Sequence, residues 1–194
     1  MGVFEFDESE IELSDESQEW DDLLDFDDHL AFGNFFKDLV VLLLDKCGYE
    51  VYPYGYESYF PNLKRRLYDS QPSDVAGRVR STPDLLVRNS TNNEVNLVEI
   101  KARSASGRHG VKIREIDSYR RFWPESVIIL VLPSGNYFYA QHVIKLDDSG
   151  KYYPHDFRPL EEMFPLIGSL SSDFRQKMVR KAMTLFRDRN YGNL

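Results

Sequence analysis

Residues 81–103 of the chain read STPDLLVRNSTNNEVNLVEIKAR and predict a β-hairpin. Two short apolar segments, 84–88 and 95–101, flank a run rich in Asn and Ser, and such runs tolerate the backbone angles of turns. A proline is tolerated at the first residue of a strand, so Pro83 predicts that Asp84 lies at the mouth of the first strand.

The hairpin is expected to bring three charged side chains together. Glu99 and Lys101 lie two residues apart and therefore project from one face of the second strand, whereas Ile100 points into the core. A turn near the midpoint of the hairpin puts Asp84 across from Glu99, with Lys101 one pleat along.

These residue types suit the hydrolysis of a phosphodiester. Two converging carboxylates are hard ligands that can hold Mg²⁺ and leave positions for water and phosphate oxygens. The metal would acidify a bound water, and an ammonium beside it would orient that water or donate hydrogen bonds to phosphate oxygens. The same pattern also fits an ordinary alternating strand that ends in solvated charges, and this interpretation stays open.

The rest of the chain predicts a mixed α/β fold in the order α-β-β-β-α-β-β-α, with helices flanking one sheet. A loop rich in Gly, Pro and Ser is predicted at 55–81, immediately before the hairpin. We expect helices at about 28–46, 111–122 and 172–188, and further strands at 49–54, 127–132 and 137–143.

The motif resembles that of the PD-(D/E)XK nuclease superfamily, and the archaeal Holliday-junction resolvase-like endonucleases are the most similar branch. The resemblance rests on Pro83-Asp84 followed, fifteen residues after the aspartate, by Glu99-Ile100-Lys101. It implies a restriction-endonuclease-like α-β-β-β-α-β core over about 33–143.

The resemblance also implies roles for these residues. Asp84, Glu99 and the backbone carbonyl of Ile100 would be metal ligands, and Lys101 would be the catalytic lysine. The implied cofactor is Mg²⁺, for which Mn²⁺ can substitute. The implied partners are DNA, branched DNA included, and a second copy of the chain in a homodimer.

The chain departs from that family at the first helix. Resolvases carry a glutamate four residues after a glycine, but here Gly33 is followed at that spacing by Lys37. Asp38 is the nearest acid that could replace it, although it lies about 100° further round the helix. On the second helix, Glu115 and Tyr119 take the spacing of a Gln-x-x-x-Tyr pattern. A second hypothesis therefore stays open: a catalytically weak or inactive nuclease fold that serves as a nucleic-acid-binding or regulatory module.

Charge divides the chain into an acidic arm, residues 1–30, and a mildly basic remainder, residues 31–194. The arm holds 13 Asp and Glu and no Lys or Arg, which leaves 19 acids against all 24 Lys and Arg in the remainder, a net charge of about +5. A basic body is compatible with a polyanionic partner. The candidate DNA contacts are Arg80, Arg103, Arg108, Lys112, Arg120 and Arg121.

The domain assignment follows from this division: an acidic arm at 1–30 and a nuclease-like domain at 31–194, with a C-terminal helical extension at about 159–190. Apolar residues alternate with the acids of the arm, which is typical of a segment that binds a partner protein or folds onto its own basic groove.

Composition excludes several classes of protein. Of the 194 residues, 42% are hydrophobic, which is enough for a folded core. The one cysteine excludes an intramolecular disulfide framework, a four-cysteine zinc site and a cysteine-ligated iron–sulfur cluster. With no basic-then-apolar leader and no apolar run near the roughly 20 residues of a membrane span, we expect an intracellular, cytoplasmic protein that is not secreted.

Overall fold

The computed structural model describes residues 26–56, 60, 63–68, 73–102, 111–113, 116–132 and 138–191. Most of the acidic arm and the basic loop after Ala102 lie outside these residues, and so do the predictions made for them. Within the described part of the chain, no helix combines the length and the apolarity needed to cross a membrane.

The central sheet of the described residues has six strands in the order β1-β2-β3-β5-β6-β8. Only β3 and β5 run parallel, and every other neighbouring pair is antiparallel. A separate two-stranded sheet pairs β4 with β7. The strands are β1 (Tyr49–Pro53), β2 (Leu85–Asn89), β3 (Val95–Ala102), β4 (Val111–Lys112), β5 (Val127–Val131), β6 (Phe138–His142), β7 (Lys151–Tyr152) and β8 (Arg158–Pro159).

Helices cover both faces of the sheet. The helices are α1 (Phe26–Lys46), α2 (Leu63–Tyr68), α3 (Asp74–Arg80), α4 (Ile116–Phe122), α5 (Leu160–Met163) and α6 (Ser172–Tyr191). Residues of α1, α5 and α6 form one core with the sheet, and residues of α4 form a second core with the alternate positions of β5. Apart from the intervening short elements α2, α3 and β4, the order α1-β1-β2-β3-α4-β5 is that of the predicted restriction-endonuclease-like core, so the predicted α/β fold class with a mixed sheet is confirmed.

Helix α1 and strand β5 form for the reasons that the sequence suggests. Phe32, Phe36 and Leu43 recur at helical spacing in α1 and are buried against the sheet. The helix ends where Gly48 takes a positive φ of 89°. All five residues of β5 are buried, as expected for a strand that is covered on both faces.

Two predicted boundaries are wrong. The segment 55–81, predicted as a loop, contains the short helices α2 and α3, and α3 is capped by the Ser73 side chain, which accepts from the Ala76 amide at 3.1 Å. The helix predicted from residue 111 begins only at Ile116, because residues 111–112 pair with 151–152 in the small sheet.

Candidate active site

The hairpin has the register that the sequence predicts. Leu85 of β2 pairs with Val98 of β3, so Asp84, immediately before β2, lies across from Glu99. The chain turns between Asn89 and Glu94, where the Asn89 amide donates to the Glu94 carbonyl at 2.8 Å. Strand alternation and a polar turn therefore suffice to bring the two acids to one end of the hairpin.

Both the backbone and the side chain of Asp84 are held in place. Its carbonyl accepts hydrogen bonds from the amides of Tyr54 and Gly55, at 2.9 and 3.1 Å, where the chain leaves β1. Its Oδ2 accepts from the Ile100 amide at 2.9 Å, and its Oδ1 accepts from Lys37 Nζ at 2.6 Å. The carboxylate is thus fixed between the sheet and helix α1.

Beyond Val98, the edge of β3 beside Asp84 is open in the sense that no other strand of the described residues pairs with it. Pairing of β2 with β3 stops at Val98, while β5 follows the opposite edge of β3 as far as Ala102. In an extended strand, the amide and the carbonyl of one residue point to the same edge. The Ile100 amide faces Asp84, and the Ile100 carbonyl therefore faces the same open edge.

Glu99, Lys101 and Tyr119 form a second cluster one step along β3. Lys101 Nζ donates to Glu99 Oε1 at 2.7 Å and lies 5.6 Å from the centre of the Tyr119 ring. The Tyr119 hydroxyl, carried by α4, also hydrogen-bonds the Glu99 carboxylate. This cluster ties the hairpin to the helix that follows it.

The buried carboxyl of Glu99 has a shifted pKa. Burial, with 6% of the residue exposed, raises the pKa of Glu99 to about 7; the charge of Lys101 opposes the rise and that of Asp84 adds to it. Each acid forms an ion pair with one lysine, Asp84 with Lys37 and Glu99 with Lys101. When all four groups are ionised, their charges sum to zero.

Two residues of this site, Lys37 and Tyr119, were not among the predicted site residues. In the sequence, Lys37 stands out only as a departure from the family pattern, and Tyr119 only for its spacing from Glu115. Their contacts depend on how α1 and α4 pack on the sheet, which strand alternation does not reveal. The signals in the sequence are the spacing of Lys37 from Gly33 and the spacing of Tyr119 from Glu115.

Asp38 does not share the position of its neighbour Lys37. It is exposed and lines a groove between α1 and α6, with Leu42 and Phe174 among the other lining residues. The structure thus brings Lys37, and not Asp38, to the Asp84 carboxylate.

Several of the predicted DNA-contacting residues have protein partners. Arg120 bonds the carbonyls of Leu146 and Asp147 and the carboxylate of Asp148. Arg80 and Arg121 line one depression between α3 and α4, where Arg121 contacts Asp74 at 2.8 Å, and Arg80 donates to the Leu67 carbonyl at 3.2 Å. The side chains of Arg103, Arg108 and Lys112 lie outside the described residues.

The donor set at the site is small. Among the described residues, no group of three or more His, Cys, Asp or Glu side chains is arranged to hold a metal. Within the described residues, the groups that could bind a divalent cation here are the Asp84 and Glu99 carboxylates and the Ile100 carbonyl.

Comparisons with known proteins add little to this geometry. No protein-family model matches the chain, and no curated protein is significantly similar to it. Among solved structures, it is similar to Archaeoglobus fulgidus Hjc, a Holliday junction resolvase from an archaeal hyperthermophile, with 16% sequence identity and a TM-score of 0.41. The match covers 69% of this chain and 98% of that one.

Proposed function

We propose that the chain is a metal-dependent nuclease that hydrolyses phosphodiester bonds in DNA. The observation that carries the proposal is the hydrogen bond between the Asp84 carboxylate and the Ile100 amide of β3. Through it, the carboxylate and the Ile100 carbonyl share an open strand edge, directly beside the Glu99–Lys101 pair. This arrangement offers oxygen ligands and an ammonium at one end of the sheet, where Glu99 is buried and the side chains of Asp84 and Lys101 are partly exposed.

The residues present fit a hard divalent cation. Asp84, Glu99 and the Ile100 carbonyl would hold Mg²⁺ or Mn²⁺, because both ions prefer oxygen ligands and keep several waters. The charge of Lys101 opposes the rise in the pKa of Glu99, and a bound cation would favour the ionised form of this buried carboxyl in the same way. When bound, the cation would supply an acidified water and neutralise charge that develops on the phosphate.

Lys101 is the residue we assign to the reacting water and phosphate. Its ammonium is held by Glu99 and by the ring of Tyr119, so it lies in a fixed position at the site. From there it orients the attacking water or donates a hydrogen bond to a phosphate oxygen. The backbone of Asp84 is held by the end of β1, which fixes its carboxylate on the opposite side of the site from Lys101.

The proposed substrate is DNA, in a resolvase-like or other structure-selective reaction. Support comes from the net charge of about +5 in residues 31–194 and from the motif that resembles those of resolvases. A branched junction offers two equivalent strands for cutting, and a homodimer would present two such sites. The depression lined by Arg80 and Arg121 is one candidate contact for the DNA backbone.

The first test is replacement of the two acids. Asp84→Asn and Glu99→Gln should each lower Mg²⁺-dependent cleavage by at least about 100-fold, because metal assistance is worth several kcal/mol of the barrier. DNA binding should survive. The measurement is cleavage of labelled branched, nicked, duplex and single-stranded DNA, with binding followed by fluorescence anisotropy.

Asp38→Asn is the matched control, because it removes the same charge from an exposed position of α1 that lines the α6 groove. It should leave cleavage unchanged. Asp84 and Glu99 variants that cut DNA as fast as the parent would contradict the assignment of the site.

One observation favours the second candidate, a nuclease fold kept as a nucleic-acid-binding or regulatory module. The ion pair between Lys37 and Asp84 engages a predicted metal ligand with a positive charge. If the parent chain binds DNA but yields no product with Mg²⁺ or Mn²⁺ on any of the substrates above, this candidate replaces the enzyme.

A further inference from the structure

Lys37 contacts the carboxylate that the proposed function assigns to a cation. Lys37 Nζ lies 2.6 Å from Asp84 Oδ1, and the two side chains are only 28% and 16% exposed. The second oxygen, Oδ2, already accepts from the Ile100 amide. Both oxygens of Asp84 are thus engaged within the protein.

An ammonium in this position opposes a second cation. A divalent ion on Asp84 either displaces Lys37 or stays within a few ångströms of its charge, and in a partly buried site such like-charge contact is weakly screened. Lys101 adds another positive charge on the neighbouring acid. The pairs formed by the two lysines with the two acids must therefore change before a cation can bind tightly.

We propose that Lys37 is an internal competitor of the divalent cation at Asp84. Its ammonium holds Oδ1 when no metal is bound and thereby lowers the affinity of the site for Mg²⁺ and Mn²⁺. This inference rests on the proposed function, because it assumes that Asp84 is a cation ligand. Lys37 acts through Asp84 and is a positioning residue, not a catalytic one.

The test measures Mn²⁺ binding to the full chain directly, by the electron paramagnetic resonance signal of free Mn²⁺, without a cleavage assay. Lys37→Gln and Lys37→Met should each bind Mn²⁺ about tenfold more tightly than the parent, a change of about 1.4 kcal/mol that is at the low end for close charge pairs. Lys37→Arg keeps the charge and should stay within about threefold of the parent.

Two further variants control the experiment. Lys46→Gln removes the same charge from an exposed position of α1, about 14 Å along the helix axis, and should leave Mn²⁺ affinity unchanged. Asp84→Asn should abolish the binding in every background, which identifies the site. Thermal unfolding without metal checks that each variant is folded.

The outcomes separate the two levels of the proposal. Binding that depends on Asp84 but has equal affinity in the parent and in Lys37→Gln overturns the competitor and leaves the proposed cation site standing. Absence of binding that depends on Asp84, in the parent and in all Lys37 variants, overturns the cation site itself. Binding in Lys37→Gln alone supports the competitor most strongly.

Discussion

Tyr119 joins the two charged groups of β3 to helix α4, because its ring lies beside the Lys101 ammonium and its hydroxyl bonds Glu99. Tyr119→Phe keeps the ring and removes the hydroxyl. We expect cleavage to fall about tenfold, since a hydrogen bond to a charged group that orients a ligand is worth about 1.5 kcal/mol or more. Initial cleavage rates at fixed Mg²⁺ measure the effect.

The control for this prediction is Tyr52→Phe. Tyr52 Oη donates to Glu50 at 3.0 Å from an exposed position of β1, so the variant loses the same kind of bond outside the site. It should cleave like the parent. Equal rates for the Tyr119 variant and the parent would show that the hydroxyl does not support the reaction.

Single residues differ in how far the sequence predicts their neighbours. The opposition of Asp84 and Glu99 follows from local rules, because strand alternation and one polar turn fix it. The contacts of Lys37 and Tyr119 join parts of the chain that are distant in sequence, and they depend on the packing of two helices against the sheet. Local patterns carry no information on that packing.

At the scale of elements, helix α6 is attached to α5 by a paired ionic contact. Arg175 donates to both oxygens of Glu161, at 2.7 and 3.0 Å. Burial raises the pKa of the Glu161 carboxyl, but the bonds from Arg175 outweigh it and hold the pKa below its usual value. The ionised form is therefore favoured in the folded protein.

This attachment predicts a pH-dependent stability. Because the folded-state pKa of Glu161 is lowered, its contribution is present above the ordinary pKa of 4.5 and is lost as pH falls through the folded-state value. Glu161→Gln should lower the free energy of unfolding by about 1 kcal/mol at pH 7 and by less as the pH falls below 4.5. Urea unfolding at several pH values measures the difference.

The adjacent Glu162 supplies the control, since its contact with Arg158 is longer, at 3.7 Å, and exposed on both sides. Glu162→Gln should change stability by less than about 0.5 kcal/mol at any pH. A Glu161 variant with a pH-independent loss would show that packing, and not the ionic contact, attaches α6.

Elements with strong internal patterns were predicted, and those that depend on distant partners were not. Helix α1 and strand β5 follow from their apolar spacing. The helices α2 and α3 have six and seven residues, too short for a clear periodic signal. Helix α4 begins late because residues 111–112 pair with β7, about 40 residues further along the chain.

For the whole molecule, the uneven distribution of charge leads to a prediction about the proposed DNA binding. Residues 1–25 hold 11 acids and no Lys or Arg, and α1 begins directly after them. Deletion of residues 1–25 should tighten DNA binding, because those acids repel phosphates or compete for the basic surface. The gain should be larger at about 50 mM than at about 200 mM salt.

Fluorescence anisotropy with one labelled duplex at both salt concentrations measures this effect. As a control, a variant with the 11 acids replaced by Asn and Gln should match the deletion, since charge and not length is responsible. An unchanged affinity after the deletion would show that residues 1–25 have no role in DNA binding.

Strand β3 changes partners at Val98, where its pairing with β2 ends on one edge and its pairing with β5 begins on the other. Asp84, Glu99 and Lys101 all belong to one supersecondary unit, the β2–β3 hairpin, whereas Tyr119 belongs to another, the crossover through α4. The hairpin therefore holds the three charged groups, and the contacts of Lys37 and Tyr119 form only when α1 and α4 pack on the sheet. Local unfolding of α1 or α4 would therefore remove the Lys37 or Tyr119 contacts from the candidate site while the hairpin stays paired.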